Sequence, residues 1–196
     1  MSQRVEFFFD VGSPASYLAW TQLPSICEQA GAELVYCPML LGGVFQATGN
    51  ASPAAVPVKG LYTRRDLARY ATRYGVTLND NPHFPIITLM LMRGAVGVQL
   101  HMPERFQDYL RATFKALWID ALDLNQPALT AAALQDGGFD VDEVMALVNS
   151  PDVKAALRAT TDEAIARGVF GAPSMFVGGE MFFGQDRLDF VREAIA

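Results

Sequence analysis

The chain is poor in thiols and imidazoles. Its 196 residues include two cysteines and two histidines. Cys27, Cys37, His83 and His101 are scattered without a metal-ligand spacing, so no metal is expected. Positive charge is short as well: 15 Lys and Arg against 21 Asp and Glu leave a net charge of −6. No basic cluster interrupts that balance, which argues against a nucleic-acid partner. No apolar run reaches the length needed to cross a bilayer, so no membrane role is expected. Met1-Ser2-Gln3-Arg4-Val5-Glu6 leads straight into a strand pattern and lacks a secretory signal. The expected compartment is therefore the cytoplasm. There Cys27 and Cys37 read as buried free thiols rather than a disulfide. Asn50-Ala51-Ser52 has the form of a glycosylation acceptor, but it carries no weight without a signal. Internal repeats, low-complexity tracts and long charge blocks are missing too. Apolar residues are plentiful at 51%, enough for the core of one large domain or a domain with an insertion.

The periodicity sets an element order. Val5 to Phe9 reads as a strand covered on both faces. Pro14 to Ala30 reads as a helix stopped by Gly31, with a kink or break at Pro24. Glu33 to Pro38 is a second strand, so strand, helix and strand form a right-handed parallel unit. Gly42-Gly43 and then Asn50 to Pro57 mark a loop. Helices are predicted over 59–74, 85–95, 103–122, 127–135, 141–148 and 151–167. Ser174 to Val177 and Glu180 to Phe183 are short strands joined at Gly178-Gly179. Gly184-Gln185-Asp186 then caps a last helix from Arg187 to Ala196. With the middle removed, this is the thioredoxin arrangement. The predicted fold is thus α/β and thioredoxin-like with an all-α insertion. Residues 1–43 and 168–196 form the discontinuous domain, and residues 44–167 form the inserted helical domain.

Ser13-Pro14-Ala15-Ser16 is the most informative stretch. It places a hydroxyl at the N-terminus of the first helix, directly after the first strand. Thiol-disulfide proteins carry Cys-Pro-x-Cys at that spot, because a helix N-terminus stabilises a thiolate. Two hydroxyls argue strongly against disulfide exchange. A serine can instead donate a hydrogen bond to a thiolate that a ligand brings in. Ser followed by Pro is equally an ordinary helix start, with Ser as N-cap and Pro in the first turn.

A second motif, Gly168-Val169-Phe170-Gly171-Ala172-Pro173-Ser174, leads into the third strand. Read plainly, Pro173 is a loop proline at a strand start. In the thioredoxin arrangement a cis-proline stands here, opposite the first helix N-terminus. The backbone of Ala172 would then pair, strand-like, with an extended peptide whose thiol reaches Ser13. A thiol-bearing peptide in a reducing cytoplasm points to glutathione. Gln185 and Asp186 open the last helix, where backbone amides attract a carboxylate and Asp186 can take an ammonium. The plain alternatives are a helix N-cap for Asp186, a solvated surface residue for Lys59 and a turn residue for Asn50.

Taken in order, these pieces resemble the 2-hydroxychromene-2-carboxylate isomerases and the related kappa-class glutathione transferases, a branch of the DsbA-like group. Asp10 ends the first strand, followed by Ser13-Pro14-x-Ser16-Tyr17. Thr48-Gly49-Asn50 leads to Lys59-Gly60-Leu61-Tyr62, and a helix carries Asp66-Leu67. Val169-Phe170-Gly171-Ala172-Pro173 and Phe183-Gly184-Gln185-Asp186-Arg187 complete the set. Gly12 and Gln185 depart from it, standing where relatives often carry a leucine and a serine or asparagine. The resemblance implies glutathione held by Ser13, Asn50, Lys59, Ala172, Pro173, Gln185 and Asp186, with Ser13 catalytic. It also implies a homodimer and a small aromatic or enone-like substrate. The implied reaction opens a chromene hemiketal to a trans-benzylidenepyruvate by reversible thiolate addition. A kappa-type transferase or peroxidase, or a non-catalytic glutathione-binding module, are the other readings. Phe45, Phe84, Ile86, Met90 and Trp118 are candidates for the substrate wall, although such residues at helical spacing are usually core. His83 could meet a substrate carboxylate, but both histidines read first as structural or surface residues.

Overall fold

The computed structural model describes residues 3–196. Met1 and Ser2 lie outside the described residues. Four strands form one sheet: β1 (Arg4–Phe9), β2 (Glu33–Pro38), β3 (Ser174–Val177) and β4 (Glu180–Phe183), in the order β2-β1-β3-β4. β1 pairs with β2 in parallel and with β3 antiparallel, and β3 with β4 is an antiparallel hairpin. This is the strand order and sense of the expected thioredoxin arrangement. β1 is central and apolar on both sides. Phe7 and Phe9 join the larger core, while Phe8 packs with Met39, Val44, Ala164, Val169 and Phe176 on the other face.

Helix α1 (Pro14–Ala30) joins β1 to β2. It begins at the Ser13 cap with Pro14 in its first turn and ends at Gly31, whose φ of 65° suits a residue without a side chain. It runs unbroken through Pro24, against expectation. The proline removes one ladder bond, but Leu18, Leu23, Ile26 and Cys27 are all buried and hold both halves on the core.

Seven helices separate β2 from β3: α2 (Leu41–Thr48), α3 (Pro57–Tyr74), α4 (Leu89–His101), α5 (Phe106–Trp118), α6 (Pro127–Asp136), α7 (Val141–Asn149) and α8 (Pro151–Ala166). Three depart from the sequence reading. Gly42 and Gly43, expected in a loop, lie inside α2. A β-carbon on Gly43 would stand 3.3 Å from Thr161 Cγ2, so the glycine lets α2 lie close against α8. Helix α4 begins at Leu89 rather than Pro85 and continues to His101. Its Gly94 and Gly97, which weaken a helix in isolation, let Tyr109 and Leu147 press against its backbone. The expected helix from Pro103 to Leu122 divides into a 3-10 turn, Pro103–Arg105, and α5, which stops at Trp118. Asn79 and Asn81 take the last carbonyls of α5: Asn79 N–H donates to Trp118 O at 2.7 Å and Asn81 Nδ2 to Leu117 O at 3.0 Å.

After the hairpin, Gln185–Arg187 forms a 3-10 turn, and α9 (Leu188–Ala194) follows. Asp186 therefore does not cap the last helix as expected. Its carboxylate pairs with Arg187 at 2.5 Å instead. Cys27 is buried and Cys37 half-buried, both with free thiols that burial pushes up to about 11 and about 12 respectively. No helix among the described residues is long and apolar enough to cross a membrane.

Candidate active site

The site grows from the turn that links β1 to α1. Asp10 ends the apolar strand with a carboxylate that is 1% exposed. A buried carboxylate is costly unless donors surround it, and here three do. Gly12 N–H donates to Oδ1 at 2.9 Å. Leu41 N–H and Thr88 Oγ1 each donate to Oδ2 at 2.9 Å. One side chain thus joins the turn, the start of α2 and the residue preceding α4. Burial still dominates and raises the Asp10 pKa above the ordinary value of 3.8, with the three donors pulling the other way. Val11 is held on both sides, its N–H by Met92 Sδ at 3.3 Å and its C=O by Trp118 Nε1 at 2.8 Å. From sequence, Asp10 counts as the end of the first strand and as part of the resemblance, with no role of its own at the site. The available signal was an acid directly after a run of buried phenylalanines.

Ser13 follows on this fixed turn. Its Oγ accepts from Ser16 N–H at 3.1 Å and donates to Ala172 O at 2.9 Å. The Ala172–Pro173 peptide bond is cis. The first helix N-terminus and the proline loop, separated by 159 residues in sequence, are therefore in direct contact through the proposed catalytic hydroxyl. Ser16 is fully buried and its Oγ has no partner among the described residues. Ser13 is buried as well, at 5% exposed, but its hydroxyl is shared between Ser16 and Ala172.

Other expected residues gather around the proline loop. Asn50 Nδ2 donates to Phe170 O at 2.8 Å. Gly184 N–H donates to Pro173 O at 3.0 Å, which sets Gln185 and Asp186 beside the loop. Gly184 adopts φ 101°, a conformation that glycine permits at little cost. Gln185 is buried and its C=O accepts from the Tyr74 hydroxyl at 2.6 Å. Asp186 is half-buried. Phe170 and Phe183, each about two-fifths exposed, lie 4.5 Å apart between ring centres beside these groups. Sequence reasoning did not single out that ring pair. Lys59 stands exposed near the start of α3, with no hydrogen-bond or ion-pair partner among the described residues to tie it to the cluster.

The candidate substrate wall divides. Ile86 and Trp118 are buried core residues. Phe84 is half-buried, its ring 6.1 Å from that of Trp118. Phe45 is half-buried on α2, and Met90 is exposed. His83 lies at the surface 3.9 Å from Asp123, and His101 pairs with Asp152 at 2.8 Å. No cluster of metal-ligating side chains occurs among the described residues.

Gly12 has a specific neighbour. A β-carbon there would lie 2.5 Å from Thr88 Cγ2. The Thr88 methyl fills the space that a side chain at position 12 would need. Gly12→Ala is expected to cost about 1–3 kcal/mol by overpacking. Adding Thr88→Ser should recover most of that loss, because serine keeps the hydroxyl on Asp10 and removes the methyl. Urea unfolding of both variants checks this; equal losses would contradict it.

A family model for the DsbA-like thioredoxin domain matches residues 4–196. The chain belongs to the DsbA-like thioredoxin family. Within that family it is 31% identical over 193 residues to 2-hydroxychromene-2-carboxylate isomerase of Sphingobium xenophagum, covering 97% of each chain. It is 29% identical over 205 residues to glutathione S-transferase kappa 1 of Homo sapiens, covering 96% of this chain and 89% of the human one. Among solved structures, a 2-hydroxychromene-2-carboxylate isomerase superimposes with a TM-score of 0.85 at 29% identity, over 98% of this chain and 94% of that one. A probable DsbA oxidoreductase from Streptomyces coelicolor, at 16% identity and a TM-score of 0.72, shares the fold. These relatives support a glutathione-related isomerase or transferase family function.

Proposed function

We propose that the protein binds glutathione beneath the proline loop and uses its thiolate to isomerise an enone-like aromatic substrate. The observation that carries this reading is the 2.9 Å bond from Ser13 Oγ to Ala172 O at the start of α1. An extended peptide lying along Ala172 brings its own N–H to that carbonyl. The Ser13 hydroxyl is then released from Ala172 and turns to the incoming sulfur, while Ser16 N–H keeps hold of Oγ. A free thiol near pKa 8.5 is mostly protonated at neutral pH, and lowering it by about two units takes about 2.7 kcal/mol. A hydrogen bond to a charged acceptor supplies about 1.5–3 kcal/mol. The N-terminus of α1 adds up to about 2 kcal/mol. Together they suffice without a general base.

Asn50, Lys59, Gln185 and Asp186 hold the rest of the peptide in this proposal. Gln185 and Asp186 open a 3-10 turn whose first amides lack internal acceptors, which suits the γ-glutamyl carboxylate. Asp186 takes the ammonium, giving up part of its pairing to Arg187. The thiolate adds to the electron-poor carbon of the double bond, forming a carbon–sulfur bond while the electron pair moves onto the conjugated carbonyl. The resulting single bond rotates. The electron pair returns, the carbon–sulfur bond breaks, and glutathione leaves unchanged. A cytoplasmic homodimer acting on 2-hydroxychromene-2-carboxylate or a close relative belongs to the same proposal.

The test is turnover of that substrate at a fixed trace of glutathione. The isomerase reading predicts many substrate conversions per glutathione, with thiol unchanged at the end. Stoichiometric thiol loss would indicate the kappa-type transferase instead. Binding of glutathione without any turnover would reduce the protein to a binding module.

A further inference from the structure

One hollow is lined by no residue of the Ser13 turn or the proline loop. Helices α2, α4 and α8 enclose this open hollow of about 530 Å³, within the size range of small-molecule sites. Its walls include Leu40, Leu89 and Leu157. Three cations also line it: Arg93 from α4, and Lys154 and Arg158 from α8. Asp162 is the one acid there, so the lining carries a net charge of +2 in a chain of net −6.

None of these three cations has a hydrogen-bond or ion-pair partner among the described residues, although Arg93 is half-buried. Lys154 and Arg158 are four residues apart on one helix, a spacing at which like charges repel. Most other arginines of the chain pair with carboxylates, as Arg64, Arg69, Arg105, Arg111, Arg167, Arg187 and Arg192 do. Here unpaired positive charge and apolar side chains line the same hollow. Such a lining matches an anion carried on a flat apolar body. Inorganic phosphate would satisfy the cations and leave Leu40 and Leu89, which are half-buried, facing water.

We propose that this hollow is a binding site for a small aromatic carboxylate, separate from the Ser13 site. Arg93 and Arg158 grip the carboxylate, and the ring rests on Leu40, Leu89 and Leu157. The hollow is joined to the Ser13 turn through Leu40 and Leu41. Leu40 N–H is held by Thr161 Oγ1 at 3.0 Å, and both residues line the hollow. The next residue, Leu41, donates to Asp10.

The test is an amide NMR titration of the full chain with cinnamate, omitting glutathione, so that failure here leaves the Ser13 reading untouched. Saturable shifts are expected at Leu40, Gly43, Leu89 and Leu157 rather than at Gly12, Ser13 and Ala172. Arg93→Gln and Arg158→Gln should each weaken binding at least fivefold. Cinnamyl alcohol, which lacks the charge, and inorganic phosphate, which lacks the ring, should each bind at least tenfold more weakly than cinnamate. Arg158 is exposed, so its variant tests the site even if the Arg93 variant folds poorly. The proposal is overturned by non-saturable shifts, by shifts confined to the Ser13 turn, or by affinity that survives both substitutions. Equal binding of the alcohol or of phosphate would also overturn it.

Discussion

Ser13→Ala is expected to lower turnover about 10- to 100-fold at neutral pH while the chain stays folded. The range follows from losing one hydrogen bond to a charged acceptor, worth about 1.5–3 kcal/mol at about 1.4 kcal/mol per tenfold. Folding loses less. Removing the Ser13 cap costs about 1 kcal/mol, and the buried contacts of α1 remain. The loss also has a pH signature. Without Ser13 the bound thiol keeps its proton to higher pH, so the gap between variant and wild type should narrow as pH rises toward the free-thiol range near 8.5. Steady-state rates from pH 6 to 9, with circular dichroism on the same samples, measure both parts. A variant with wild-type turnover would remove Ser13 from the mechanism. A deficit that stays constant with pH would mean that its hydroxyl acts on something other than the thiol.

Asp10→Ala is expected to be strongly destabilising. It strands the Gly12 and Leu41 amides and the Thr88 hydroxyl, all of which the carboxylate now satisfies. A stranded buried donor costs about 1–3 kcal/mol. Relief of a buried charge offsets part of the sum, leaving an expected loss of about 3 kcal/mol or more in denaturant unfolding. The wild-type pH dependence has a defined sign. The Asp10 pKa is raised in the folded state, so the folded chain binds more protons than the unfolded one between the ordinary carboxyl value and the raised value. Stability from this group is therefore full below that window and falls as pH rises through it. That slope should vanish in Asp10→Ala. A loss below about 1 kcal/mol would show that water can reach the three donors.

The strands and the site loop were the most legible parts of the sequence. Val5 to Phe9 is apolar because both faces of β1 are covered, and a local pattern reports that directly. Ser13 and Pro173 were legible because each sits at an element boundary where chemistry restricts the residue type. The helical middle was harder. Gly42-Gly43 reads as a loop by propensity, but Gly43 lets α2 lie against Thr161 of α8, and that demand comes from the far side of the fold. Gly94 and Gly97 hid the length of α4 in the same way. The start of the last helix was misread because Asp186 turned to Arg187 rather than back to the amides. Asp10 was visible as a residue but not as a keystone. Its three donors come from positions 12, 41 and 88, a convergence that exists only once α2 and α4 are in place.

Ultraviolet absorbance of protein-bound glutathione, titrated between pH 5 and 10, measures the thiolate itself. The account predicts that the bound thiol ionises about two units below the free value near 8.5 and that Ser13→Ala moves its midpoint back up. A bound thiol that titrates like free glutathione, or a midpoint indifferent to Ser13, would contradict it.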